Sequence, residues 1–167
     1  NRSYYSSERV KEWVRGKIAS NLSEHYLAVC LCQNDQMIGY VSLRNIENVN
    51  RNAFWGGVLI GEYKYRNIVN SVQAIFLLLD FGFFELGMHK IYGKWMSDNK
   101  PSLLLGDIFG FRQDGILRDE VFKRGRFHDI VVKSLLKEEY DKRRAALMRD
   151  YNISMPTQDF KGCIHDN

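Results

Sequence analysis

The sequence predicts a mixed α/β fold, in which helices flank a mostly antiparallel sheet that contains one parallel strand pair. Short polar turns join the early apolar strands, and short connections favour antiparallel pairing. An apolar helix separates the third strand from the fourth, and a helical crossover favours a parallel pair. The chain has 167 residues, of which 45% are hydrophobic. This length and composition predict one domain with a sizeable core.

The strands follow from runs of apolar and β-branched residues that are bounded by turn signals. They are predicted at HYLAVCLC, MIGYVSLR, AFWGGVLI, HKIYGKWM, FRQDGILRDEVF and RFHDIVVKSLL. QNDQ between the first two strands and KRGR between the last two predict tight turns. The paired glycines inside the third strand, Gly56 and Gly57, predict a β-bulge that splays this strand from the fourth.

The helices follow from apolar spacing and from capping residues. Serines followed by apolar residues at helical spacing predict an opening helix from Ser7. A second helix is predicted from Asn70 to Leu86, and a third within SDNKPSLLLGDIF, with Asp98 or Asn99 as its cap. KEEYDKRRAALMRD predicts a charged last helix.

Composition narrows the class of protein. The net charge is +4, and the basic clusters KRGR and DKRR are interpreted as solvated surface in preference to a nucleic-acid footprint. Three cysteines without metal-ligand spacing predict reduced thiols in a cytoplasmic protein that holds no metal. The most apolar stretch, Ala74–Phe84, is short and contains Asp80, which predicts a buried helix and no membrane contact. Residues 1–150 are expected to form the domain, and 151–167 a loosely held tail.

The segment YKYRNIVNS, residues 63–71, runs directly into the second helix and contains no proline. Every residue in it therefore offers a backbone N–H, and a helix N-terminus carries a partial positive charge of roughly half a unit. Such amides bind phosphate groups. We interpret the segment as an anion-binding loop. The alternative is that Asn70 or Ser71 merely caps the helix.

Two segments, GMHKIYGKWMSDNKPSLLLGDIFGF and GILRDEVFKRGRFHDIVVKSLL, carry a resemblance to a known family. In the first, Asn99, Ser102 and Gly110-Phe111 fall at the spacing of the family's Asn-x-x-Ser…Gly-Phe pattern. In the second, RGRFHD matches a turn-and-strand signature. Residues 37–136 resemble the GNAT superfamily of acyl-CoA N-acyltransferases, in the branch of ribosomal-protein N-terminal, polyamine and nucleotide-aminosugar acetyltransferases. The family's first strand and helix have no counterpart, so we expect the natural chain to begin earlier.

The resemblance implies acetyl-CoA as the co-substrate and assigns its contacts. The family's Arg/Gln-x-x-Gly-x-Gly/Ala motif aligns with RNIVNS, which makes the implied cofactor-binding residues Arg66, Asn67, Ile68, Val69, Asn70 and Ser71. Val69 stands at a glycine position, where it narrows the approach without removing a donor. The pantetheine arm is expected beside the third strand, and its implied contacts are Val58, Leu59, Ile60, Asn99 and Ser102. Asn99 has the alternative role of a plain helix cap.

Two acid–base groups that are common in the family are absent from this sequence. The family's strand glutamate falls at Phe54 or Trp55, and its tyrosine falls at Gly106. The remaining candidates are Asn99 and Tyr40 for catalysis, Arg44, Phe54 and Trp55 for acceptor binding, and, less strongly, Glu62, His89 and Trp95. His128 and Asp129 are interpreted as structural residues that hold the last strands together.

We therefore predict a cytoplasmic N-acetyltransferase that moves an acetyl group from acetyl-CoA to a primary amine. A nucleotide-linked aminosugar or another small amine is the favoured acceptor, and a protein N-terminus is second. If positioning and fixed backbone dipoles replace the missing groups, the protein is an enzyme. Otherwise it is a catalytically silent acyl-CoA-binding protein. A basic nucleic-acid-binding module is a third and weaker option, and the expected assembly, if the chain associates, is a homodimer.

Overall fold

A six-stranded sheet carries the described part of the protein, residues 23–154 of a computed structural model. Its strands are β1 (His25–Cys30), β2 (Met37–Glu47), β3 (Asn52–Ile60), β4 (Lys90–Met96), β5 (Arg112–Lys123) and β6 (Arg126–Leu136). The helices are α1 (Ile68–Asp80), α2 (Lys100–Phe109) and α3 (Lys137–Asp150), and a π-helical turn over Phe81–Glu85 extends α1. The opening helix predicted from Ser7 and the last residues of the tail lie outside the described residues.

The strands lie in the order β1-β2-β3-β4-β6-β5, and all neighbours except β3 and β4 are antiparallel. β3 and β4 are parallel, but they pair only where Asn52–Phe54 meets Lys90–Tyr92. Beyond these three residue pairs the two strands separate. The predicted mixed sheet with a splayed parallel pair is therefore confirmed, and all six predicted strands are present.

Two strand ends differ from the prediction. β1 ends at Cys30 because a turn closes there, in which Asp35 N–H donates to Leu31 O at 2.9 Å. Cys32 was expected in this strand but lies beyond it, exposed. β2 continues past MIGYVSLR to Glu47, because Ile46 N–H donates to Ser23 O at 3.0 Å and prolongs the ladder.

The predicted bulge lies in β3 at Gly56. Ser42 pairs with Gly57 and Leu43 pairs with Trp55, so Gly56 is the extra residue between two ladder pairs. A Cβ at Gly56 would lie 2.2 Å from Ser42 Oγ and 2.7 Å from Arg44 Nε, closer than packed atoms come. Only glycine fits this position, and the extra residue bends β3 where it leaves β4.

Helix α1 begins at Ile68, two residues before its predicted start, because Asn67 is its cap. The Asn67 backbone is extended (φ −141°, ψ 168°), and its side-chain oxygen accepts from Asn70 N–H at 2.8 Å. The predicted alternative of a cap at Asn70 or Ser71 is therefore wrong. The buried face of α1 packs against the sheet and consists of Val72, Ala74, Ile75, Phe76, Leu78 and Leu79.

The span Ile68–Glu85 is apolar enough to meet the criterion for crossing a membrane, with a mean hydropathy of 1.5 over 18 residues. Half of it is buried in this fold. A helix that covers the core of an α/β sheet has the same composition, because its partner surface is also apolar. The packing observed here accounts for the hydropathy of the span.

A buried polar cluster joins α3 to α1. Asp80, which is 6% exposed, accepts a hydrogen bond from the Tyr140 hydroxyl at 2.7 Å. Arg144 donates to both Asp80 oxygens, from Nε at 2.9 Å and from Nη2 at 2.7 Å. Burial and the hydrogen bond to Asp80 raise the pKa of Tyr140 far above its ordinary value, and the same carboxylate raises the pKa of Arg144. Tyr140 and Arg144 therefore both stay protonated, as their roles as donors to Asp80 require.

The β5–β6 hairpin holds the turn that precedes α2. Asp98 Oδ2 accepts from Arg126 Nη2 at 3.1 Å and lies 3.0 Å from His128 Nδ1. His128 Nε2 lies 3.0 Å from Lys123 O, at the end of the hairpin. Asp129 Oδ1 accepts from a β5 backbone N–H at 2.9 Å. The structural role predicted for His128 and Asp129 is confirmed, and the cluster also fixes the residue next to Asn99.

The first residues of the tail are packed in place, contrary to the predicted loose segment. Tyr151 and Ile153 lie against the core cluster, and Tyr151 O accepts from Gln73 Nε2 at 3.1 Å. Apolar contact with the core holds these residues, since both side chains would otherwise expose apolar surface.

We expect Arg144→Ala to destabilise the protein by about 2–4 kcal/mol, because it leaves the buried Asp80 carboxylate without its cation. Urea unfolding followed by circular dichroism measures the change. The exposed neighbour Lys142 provides the control, since Lys142→Ala should stay within about 0.5 kcal/mol of the wild type. Equal effects of the two variants would contradict a stabilising role for the cluster.

Gly56→Ala should destabilise the protein by about 1–3 kcal/mol, because the new methyl group overlaps Ser42 and Arg44. Gly115→Ala is the matched strand variant, since its Cβ would enter open space. That control is expected to be neutral or slightly stabilising. Thermal melts of both variants test the bulge, and an unchanged melting temperature for Gly56→Ala would show that β3 tolerates a side chain there.

Candidate active site

An open cleft of about 830 Å³ lies where β3 and β4 separate. Its walls come from β2, β3, β4 and the N-terminal turns of α1 and α2. The predicted site residues that line it are Arg44, Phe54, Trp55, Val58, Leu59, Ile60, Arg66, Asn67, Ile68, Ser71, Asn99 and Ser102. The structure thus brings together most residues that the sequence assigned to cofactor and acceptor.

Arg66 braces the loop before α1 against the end of β3. Its Nε donates to Ile60 O at 2.8 Å and its Nη2 donates to Gly61 O at 2.9 Å. The guanidinium also lies 6.0 Å from the Tyr63 ring centroid. Both hydrogen bonds go to neutral carbonyls, so the positive charge of Arg66 remains available at this end of the cleft.

Two backbone amides at the start of α1 are left without an internal partner. The amides of Asn67, Asn70 and Ser71 are used, because they donate to Tyr65 O, Asn67 Oδ1 and Asn67 O. Ile68 and Val69 are the first two helical residues, whose N–H groups have no carbonyl one turn back. Together with the helix dipole, these two amides form a site that suits a diphosphate.

Val69 and Asn70 are not among the residues that line the cleft. Val69, at the family's glycine position, is 42% exposed, and as the second helical residue it keeps an N–H with no carbonyl one turn back. Asn70 Nδ2 donates to Tyr65 O at 2.9 Å, which stabilises the loop. The geometry gives Asn70 a structural role in place of the predicted contact with the cofactor.

The edge of β3 that faces β4 is unpaired beyond Phe54, because the parallel ladder ends there. Val58, Leu59 and Ile60 lie on this stretch and line the cleft. An unpaired edge offers backbone donors and acceptors to an extended ligand, as an added strand would take them. The predicted place for a pantetheine arm is therefore open.

Asn99 occupies the cap position of α2 through its backbone alone. Its carbonyl accepts from Ser102 N–H at 3.1 Å and Leu103 N–H at 3.0 Å, while its side chain makes no capping bond. The predicted alternative, that Asn99 is the cap of this helix, is therefore confirmed, and its side-chain amide takes no part in the capping. The Asn99 amide and Ser102 both line the cleft, and Asp98 beside them is held by the hairpin.

The deep end of the cleft is aromatic and carries two unpaired buried donors. The Arg44 guanidinium lies 5.1 Å from the Phe54 ring centroid, and the Trp55 and Trp95 rings meet edge to face at 5.3 Å. Within residues 23–154, Arg44 Nε and Trp55 Nε1 are buried with no hydrogen-bond partner. A buried donor without an acceptor costs about 1–3 kcal/mol, which a bound acceptor group would recover.

Tyr40 does not line the cleft, in contrast to its predicted catalytic role. Its ring lies 6.0 Å from the Tyr26 ring, so it packs towards β1. Glu62 and His89 are exposed and also lie outside the cleft lining. Among the described residues that line the cleft there is no Asp, Glu, His, Tyr or Cys.

Several lining residues were missed from the sequence: Lys94, Pro101, Leu104 and Leu105. Lys94 lines the cleft because β4 has separated from β3 at this point. No local sequence pattern predicts that separation. Gly106, at the family's tyrosine position, lies against Trp95, and a Cβ there would be 3.4 Å from the ring. The Trp95 indole therefore takes up space beside that position.

In the part of the chain described, no group of three His, Cys, Asp or Glu side chains is placed to hold a metal.

Comparison with known proteins gives consistent matches. A model of the acetyltransferase (GNAT) domain matches residues 1–112. The uncharacterized N-acetyltransferase p20 of Bacillus licheniformis is 30% identical over 113 residues, which are 68% of this chain and 62% of that relative. Spermidine N(1)-acetyltransferase of Vibrio cholerae is 26% identical over 137 residues, with 82% of this chain and 77% of that relative covered.

A solved structure has the same architecture. Spermidine N-acetyltransferase from Vibrio cholerae in complex with CoA and spermine matches with a TM-score of 0.74 at 27% identity, covering 84% of this chain and 80% of that one. The matched domain, residues 1–112, includes β1 to β4 and the starts of α1 and α2, which build the cleft. The present chain spans only 62% of the length of p20. By its domain match and its splayed sheet, the chain belongs to the GNAT acetyltransferase family.

Proposed function

We propose that the protein transfers an acetyl group from acetyl-CoA to a primary amine. The observation that carries this proposal is the continuous cleft, which runs from two unpaired helix amides, along an unpaired strand edge, to an aromatic pocket. The first suits a diphosphate, the second an extended arm and the third an acceptor. Family membership and the CoA complex of the Vibrio cholerae neighbour support the same assignment.

Acetyl-CoA, when bound, supplies a thioester whose C–S bond breaks as a C–N bond to the amine forms, giving an N-acetyl amine and CoA. The amine attacks in its neutral form and loses one proton, which passes to water or to the departing sulfur. No Asp, Glu, His, Tyr or Cys lines the described cleft, so we assign this proton transfer to water and the departing sulfur.

The chain's own residues act here by binding and positioning. The Ile68 and Val69 amides would hold the diphosphate, and the β3 edge from Val58 to Ile60 would align the arm. Backbone N–H groups at the Gly56 bulge would stabilise the charge that develops on the thioester oxygen. The Asn99 side chain, which makes no capping bond, would orient the sulfur end. Fixed dipoles and proximity of this kind supply much of a rate enhancement.

A catalytically silent acyl-CoA-binding protein is the second candidate, and the lack of Asp, Glu, His, Tyr and Cys in the described lining favours it. For the enzyme, a nucleotide-linked aminosugar or another small amine is the first proposed acceptor, and a protein N-terminus the second.

We also propose a cytoplasmic location and one domain over residues 1–150. Exposed Phe122 and Phe127 on the β5–β6 hairpin support association as a homodimer.

The proposed activity is tested by a melting curve and an amine panel. Saturating acetyl-CoA should raise the melting temperature by about 5 °C, as expected for a ligand that binds only the folded state. Free thiol should then appear in proportion to the added amine. Stabilisation without thiol release from any amine would establish the silent binder. Absence of both effects would exclude either function.

Ile68→Pro should weaken CoA binding by about 10-fold or more, because it removes one amide that faces the diphosphate. Proline is compatible with the first helical position, and Asn67 before it is already extended, so the fold should be unchanged. Ile68→Ala is the control, since it shortens the side chain but keeps the N–H. Calorimetric titration with CoA gives both affinities, and equal values would show that this amide is not a ligand.

A further inference from the structure

The charge of the cleft is unlike that of a site for a polycation. Its described lining contains three cations, Arg44, Arg66 and Lys94, and no carboxylate. Lys94 lies 3.5 Å from Glu120, but both side chains are 44% exposed and the pair is screened by water. A polyamine brings several positive charges, and like charges in a partly desolvated cleft repel.

Arg44 and Arg66 lie at opposite ends of this cleft. Arg66 is hydrogen-bonded to Ile60 O, at the last residue of β3 and next to the helix amides. Arg44 pairs with Phe54, the last residue of β3 that still pairs with β4. Ile60 lies six positions after Phe54 along the strand, which is roughly 20 Å. The cofactor diphosphate therefore belongs with Arg66, and the charge of Arg44 is left for another ligand.

Arg44 is also incompletely satisfied. Its Nε is buried without a hydrogen-bond partner in residues 23–154, and no carboxylate of that part forms a salt bridge with it. The Arg44 guanidinium lies over the face of the Phe54 ring, which is a weak partner for a cation. Trp55 Nε1, the second unpaired buried donor, lines the same end. Arg44 Nε, which is charged, and Trp55 Nε1 are therefore two donors for which the described residues provide no acceptor.

We propose that the acceptor is a small amine that carries a carboxylate or phosphate, and that Arg44 binds this anion. The inference rests on the proposed acetyl transfer and specifies the acceptor of the same cleft. A planar guanidinium matches either oxyanion in two parallel hydrogen bonds. With its anion held at Arg44, the acceptor has its amine restrained beside the Gly56 bulge, where Arg44 Nε and the β3 backbone are neighbours. Polyamines are disfavoured substrates of this cleft.

The test compares matched acceptors at one pH, with each rate referred to the concentration of neutral amine. Phosphoethanolamine is paired with ethanolamine, γ-aminobutyrate is paired with γ-aminobutyramide, and spermidine is the polycation. The anionic member of a pair should have a kcat/KM about 10-fold or more above its neutral partner. Spermidine should fall below both. A preference for spermidine, or for the neutral members, overturns the inference while the proposed function stands.

Arg44 variants assign the preference to this side chain. Arg44→Gln should lower kcat/KM for the anionic amines by about 30-fold or more and change the neutral amines by less than about 3-fold. Arg44→Lys, which keeps the charge but not the fork, should restore part of the difference. Lys142→Gln, an exposed charge on α3, is the control and should change nothing. If Arg44→Gln instead raises the KM for acetyl-CoA and leaves kcat/KM for the anionic amines unchanged, Arg44 binds the cofactor and the inference is overturned.

If no amine releases CoA, the proposed function fails and the anion site is tested by binding alone. Phosphoethanolamine titrated into the CoA-saturated wild type should raise the melting temperature, and the rise should disappear in Arg44→Gln. Equal shifts in the two proteins, or none in the wild type, would overturn the role of Arg44.

Discussion

The separation of β3 from β4 after three residue pairs is the constraint on which the site depends. Two fully paired parallel strands leave no room between them and no free backbone groups. Here the extra residue at Gly56 bends β3, and the crossed rings of Trp55 and Trp95 stand where the strands part. This separation of β3 from β4 opens the cleft, exposes the β3 edge and aligns the cleft with the start of α1.

Capping at the start of α1 leaves two amides free. A cap and a bound anion would compete for such amides, but the Asn67 side chain takes only the amide of Asn70 and leaves those of Ile68 and Val69. A larger side chain at the family's glycine position does not remove a donor, because every residue except proline keeps its backbone N–H. Val69 therefore leaves the number of free amides at this helix start unchanged.

The chemistry of the cleft is that of positioning. Its described lining offers amides, indoles and cations but no Asp, Glu, His, Tyr or Cys. The charge of the lining is positive at both ends, where Arg66 donates to two carbonyls and Arg44 lies over an aromatic ring. A site of this kind selects its partners through charge and shape.

The sequence by itself determined the six strands, the parallel pair and the glycine bulge, because each rests on local spacing and turn chemistry. The tertiary structure alone decided which side chains enter the cleft. Tyr40 and Arg44 share one face of β2, yet Tyr40 packs on Tyr26 of β1 and Arg44 lies beside the bulge. Periodicity assigns a side chain to a face of a strand. Its neighbours there, and whether its donors find acceptors, depend on strands that are distant in the chain.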